Sequence, residues 1–145
     1  MDDDRLAALA YRLEIRELLD RYSHAIDFMD WDLLATVFSA NAEVDFSDVG
    51  DWYLAGKPVR ATGFDEIRGF YLAIVPEVYG ALHFMTNHLI VIDGDSARTR
   101  TYMHGLGDSI SALYLGEIVR GSEGWRIAKW RYVIHMPKRP TKRTW

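Results

Sequence analysis

Residues 81–136 read as four long strands separated only by tight turns, and this constrains the fold more than any other stretch. Apolar, β-prone runs cover 81–92, 97–106, 110–120 and 125–136. Between them lie Asp93-Gly94-Asp95, Gly107-Asp108 and Gly121-Ser122-Glu123-Gly124, all strong turn signals. Long strands joined by short turns can only pair with their neighbours in sequence, so the back half is predicted to be an antiparallel meander. The first two of these strands each carry a histidine in an otherwise apolar run, His83 in Leu82-His83-Phe84 and His104 in Tyr102-Met103-His104. Such a histidine is either a core residue with one satisfied partner or an acid/base group in a pocket.

The front half has a different period. Asp2, Asp3 and Asp4 put acids where a helix begins, and Leu6, Leu9, Leu13, Ile15, Leu18, Leu19, Tyr22 and Ile26 recur at helical spacing. A long amphipathic helix over 3–28 follows, with Asp27 about 100° round from Ile26. Asp30-Trp31-Asp32 opens a short second helix through Val37 and Phe38, which Ser39-Ala40-Asn41 ends. Residues 42–46 alternate as a strand, which Trp52-Tyr53-Leu54 continue or return. Thr62-Gly63-Phe64 starts a third helix that Pro76 stops. Helices followed by a meander make an α+β fold, three helices on a mostly antiparallel sheet, in one domain over 1–136. The basic, proline-interrupted stretch 137–145 is read as a solvated tail or a docking segment.

Composition narrows the function. The chain of 145 residues has no cysteine, which excludes disulfides, thiolate metal sites and cysteine nucleophiles. A net charge of −4 gives nucleic acid no electrostatic footing. No run is long and apolar enough to span a membrane, and the acidic N-terminus lacks the apolar segment of a signal peptide, so a cytoplasmic location is expected. Aromatic residues at 13% suit a cavity or an interface.

Long helix, short helix, strand, helix and meander together resemble the cone of the nuclear transport factor 2-like superfamily, specifically its SnoaL-like branch. Ala25-Ile26-Asp27-Phe28-Met29-Asp30-Trp31-Asp32 resembles the family's turn between its first two helices. Leu82-His83-Phe84 is similar to the strand histidine of scytalone dehydratases and hexachlorocyclohexane dehydrochlorinases, and Tyr102-Met103-His104 to the dehydratases' second histidine. The tyrosines of scytalone dehydratase match Ile26 and Phe46 here, and the dehydrochlorinase lysine matches Tyr22. The likeness therefore reaches the acid/base positions and not the scytalone reaction itself. It implies a cone-shaped barrel and a homodimer or higher homo-oligomer formed through the outer sheet face.

The resemblance implies Asp27, His83 and His104 as catalytic residues, with Asp27 orienting His83 as a general base. Tyr22, Trp52 and Tyr53 become candidates for substrate binding. Proton abstraction beside a carbonyl or leaving group then gives dehydration, dehydrohalogenation, isomerisation or cyclisation on a small apolar, cyclic, oxygenated substrate, without a cofactor. Asp27, His83 and His104 formally make a two-His-one-carboxylate set, but no metal is assigned. His83 and His88 are five apart, so a regular strand places them on opposite faces, with His88 outside near Arg98 and Arg100. His24 is expected in solvent. Two other readings stay open. One is a non-catalytic binding module like the small subunits of ring dioxygenases. The other is an epoxide hydrolase, for which no Asp-Arg-Asp triad is identified.

Overall fold

A computed structural model of the chain describes residues 2–49, 54, 56–75, 82–106 and 111–133. Trp52, Tyr53, His135 and the tail 137–145 lie outside the described residues.

Helix α1 spans Asp3–Asp27, and the Asp2 carboxylate caps it by accepting the Arg5 N–H at 2.8 Å. Its buried face begins only at Ile15 and continues through Leu18, Leu19, Tyr22, Ala25 and Ile26. Leu6, Leu9 and Leu13, expected on the core face, are exposed. Helical spacing identifies a stripe; it does not say how far the sheet beneath it reaches. The helix stops at Asp27, and Met29 takes a left-handed backbone with φ 51°. Asp30 then caps α2, Trp31–Ala35, by accepting the Leu33 N–H at 2.9 Å.

Strand β1, Phe38–Asp45, begins where the sequence suggested that α2 was ending. Its first residues are drawn into parallel pairing with β6, Gly124–Val133, where the Ile127 N–H bonds the Val37 carbonyl at 2.9 Å. A 3₁₀ turn, Ser47–Val49, follows, and a short β2, Arg60–Thr62, pairs antiparallel with β1. Local pattern gave no sign of β2; it exists because β1 has a free edge. Helix α3 covers Phe64–Ile74 and enters through Gly63 at φ 77°.

The meander is present as expected: β3 Leu82–Asp93, β4 Ser96–Leu106, β5 Ser111–Gly121, then β6. The six strands run in the order β2-β1-β6-β5-β4-β3, antiparallel except where β1 meets β6. This is an α+β fold with a mixed sheet, and among the described residues β2 and β3 do not pair to close a barrel. One face is packed by α1 and α3, and the core lies between. No described helix is long and apolar enough to cross a membrane.

One irregularity sets which side chains face that core. Thr86 pairs with Tyr102 and Leu89 pairs with Arg100, so Asn87 and His88 together oppose Thr101 alone. This is a β-bulge, with Asn87 at φ 54°. The extra residue reverses the alternation and turns His88 inward. There its Nδ1 lies 3.0 Å from Thr101 Oγ1. The expected outer-face position beside Arg98 and Arg100 is thereby corrected.

Candidate active site

Helix α1 ends against the first residues of β3, and there the Asp27 carboxylate makes two bonds to one residue. Its Oδ2 accepts the backbone N–H of His83 at 3.0 Å, and its Oδ1 lies 2.5 Å from the His83 ring Nδ1. The two side chains are 8% and 16% exposed, so water competes weakly for the pair. β3 is a sheet edge, and an edge presents unpaired backbone groups. Asp27 covers that edge at its start, and Arg12 covers it further on by donating to the Ile90 carbonyl at 3.0 Å. The same helix thus docks the strand and orients the imidazole.

The chemical consequence follows from donor and acceptor roles. A carboxylate only accepts, so Nδ1 carries the proton in the bond to Asp27. In the neutral ring Nε2 is then bare and basic, and among the described residues it meets no hydrogen-bond partner. If Nε2 takes up a proton, the adjacent carboxylate stabilises the imidazolium. The arrangement can accept a proton from a molecule placed beside Nε2 and return it.

His104 does not join this pair. It is the cross-strand partner of Phe84, while His83 pairs with Gly105. Facing residues share a side of the sheet, so His104 lies on the outer face, opposite His83. It is exposed, and its Nδ1 lies 3.0 Å from Ser111 Oγ. The expected convergence of Asp27, His83 and His104 is corrected by this register, which a one-residue difference in strand offset decides. His24 is exposed, with its ring stacked on Phe28. No three His, Asp or Glu side chains among the described residues are grouped to hold a metal ion.

Tyr22, a substrate-binding candidate on the inner face of the first helix, lies deep in the core. It is 1% exposed, and its hydroxyl meets those of Tyr71 at 2.9 Å and Tyr114 at 3.0 Å. Burial pushes the phenol of Tyr22 up from its usual range, against its hydrogen bonds with Tyr114 and Tyr71 and the pull of the nearby Trp130 indole N–H. Burial, then the neighbouring Tyr22, raises Tyr71 and Tyr114 further. All three are neutral donors at neutral pH. Helical position alone points to Tyr22. Tyr71 and Tyr114 come from a third helix and the fifth strand, and only tertiary packing brings them to it.

Comparison with known proteins agrees with this architecture. Residues 7–131 match the model of the SnoaL-like domain. The uncharacterized protein Rv2910c of Mycobacterium tuberculosis is 29% identical over 133 residues, covering 86% of this chain and 85% of that protein. A Novosphingobium aromaticivorans protein provisionally named an aromatic ring hydroxylase superposes with a TM-score of 0.76 at 27% identity, covering 89% of this chain and 92% of its own. Hexachlorocyclohexane dehydrochlorinase LinA-type3 from Novosphingobium barchaimii superposes with a TM-score of 0.76 over 91% of each chain. At 19% identity that likeness concerns the fold.

Proposed function

The chain belongs to the SnoaL-like domain family, and from that premise we propose that it is a cofactor-free lyase or isomerase in which His83 is the general base and Asp27 its orienting partner. The observation that carries the reading is the double grip of Asp27 on His83, which presents Nε2 bare beside the helix-facing side of the sheet. A base of this kind removes a proton next to a carbonyl or a leaving group, and loss of water, loss of halide, double-bond migration or ring closure completes the reaction. The dehydrochlorinase among the structural neighbours supports the reaction class by fold analogy only.

The test is a proton NMR assay in D₂O with a panel of cyclic ketones, β-hydroxy ketones and chlorinated cyclohexanes. Wild type is expected to exchange or eliminate at least one member. His83→Ala is expected to lose about 10²–10⁴-fold in rate while folding normally. Undiminished turnover in His83→Ala would reject the base, and the fold would then be read as a binding module.

The outer sheet face supports the homodimer as the partner reading. Leu89, Val91 and Leu115 are exposed there along a groove of about 550 Å³ whose rim alternates in charge. Successive strands present Glu43, Lys129, Glu117 and Arg98 side by side. A second copy turned by a two-fold axis would meet this face with complementary charge.

A further inference from the structure

The strand registers divide the inner sheet face into levels. His83 lies level with Gly105. One level further in, Met85, Met103 and Ala112 lie side by side across β3, β4 and β5. At the next level Thr101 lies beside Tyr114, whose hydroxyl joins those of Tyr22 and Tyr71. Small or flexible side chains therefore occupy the ground between the base and the hydroxyls. Gly105 and Ala112 fill little space, and unbranched methionines move aside at low cost. From Gly105 to Thr101 is four residues, about 13 Å of strand at ~3.3 Å each. Allowing for the side chains at both ends, that suits one or two fused rings.

The hydroxyl cluster is donor-rich. Three phenols bring three protons, and two O···O contacts use two of them. Whichever way the hydroxyls rotate, one proton has no acceptor within the trio. The Trp130 indole stacks on Tyr114, and its Nε1 is buried with no acceptor at full hydrogen-bond geometry among the described residues. Buried donors without acceptors are costly in a packed core. An incoming oxygen would satisfy them.

We infer that Tyr22, Tyr71 and Tyr114 are the oxygen-binding end of the site, and that a carbonyl or phenolic ring compound displaces the Met85–Met103 pair to place its oxygen on them and a C–H toward His83. This rests on the general-base reading. When Nε2 takes the proton, the C–H bond breaks and an N–H bond forms. In a ring ketone whose C=C bonds conjugate the carbonyl with that carbon, the electron pair shifts through the conjugated bonds and the carbonyl becomes an extended enolate oxygen, which the buried hydroxyls stabilise. The trio selects substrates that carry oxygen at the end remote from the base.

Fluorescence titration of the full chain with 2-naphthol and with naphthalene tests this. Wild type should bind 2-naphthol about tenfold tighter, the value of one good hydrogen bond. Tyr114→Phe and Tyr71→Phe should each cut that ratio toward one and leave naphthalene affinity unchanged. Ala112→Phe should weaken both probes by filling the slot. Circular dichroism checks that each variant folds, and two separate tyrosines keep the test alive if one variant does not. Failure of wild type to bind either probe, an equal affinity for both, or a preference that survives in the folded Tyr→Phe variants would overturn the assignment. The base reading fails separately: His83→Ala would keep its turnover while the Tyr→Phe variants still lost the naphthol preference.

Discussion

At Asp27 a single carboxylate caps a sheet edge and fixes a tautomer, and substitution can separate these roles. In Asp27→Asn the side-chain oxygen still accepts the His83 N–H. The amide nitrogen, however, donates to Nδ1, which moves the ring proton to Nε2 and turns the base into a donor. The expected outcome is a folded protein with turnover down at least about 10²-fold, read by thermal melting beside the NMR assay. Asp27→Ala loses both bonds, leaves an edge N–H uncovered, and should cost about 1–3 kcal/mol as well. His88 gives a pH signature of its own. Burial lowers its pKa below 6.5, the positive charge of Arg16 adds to that, and Asp20 partly opposes it. The unfolded chain then binds the proton more readily than the folded one, so stability falls as pH drops below about 6.5 and levels off below the folded pKa. Urea midpoints at pH values on either side should show this fall in wild type and a smaller one in His88→Gln.

The elements were legible to the degree that their signals are local. The meander followed from turn residues, and the first helix from its period and its acidic start. What escaped was non-local. The bulge at Asn87-His88 carries no motif, yet it decides that two histidines five apart share a face. The short β2 exists only as a partner for β1, and His104 was misplaced because its face depends on register with β3. Packing at Gly116 is another tertiary fact. A Cβ there would overlap Thr99 Oγ1 and approach the Trp130 ring at 2.9 Å. Gly116 is level with both residues, so the side chain of Thr99 and the large Trp130 indole share the space above it. Gly116→Ala should therefore destabilise the protein by about 1–3 kcal/mol through overpacking, measured by chemical denaturation, whereas a strand glycine with open space above it would be neutral.

Across the whole molecule, the sheet has a packed face and a bare one. The packed face holds the dyad, the methionines and the buried tyrosines. The bare face carries Leu82, Phe84, Leu89, Val91, Tyr102 and Leu115, each at least 36% exposed. These exposed apolar side chains, interleaved with Arg98 and Arg100 on the strand between them, are what the homodimer proposal rests on. The homodimer proposal predicts a dimer by sedimentation at micromolar concentration and its dissociation in a Leu89→Arg, Leu115→Arg variant. A wild-type monomer would refute it. The candidate site was half visible in the sequence: Asp27 and His83 were found through a resemblance, and the geometry brings them together. The oxygen-binding end was hidden because its three tyrosines come from α1, α3 and β5, and no spacing along the chain links them.

The most direct test of the dyad is the ¹⁵N spectrum of the His83 ring in protein labelled at histidine, above the pH at which the ring is protonated. The account predicts a protonated Nδ1 and a bare Nε2, inverted in Asp27→Asn. A wild-type ring protonated at Nε2 would contradict it, because His83 could then not serve as the base.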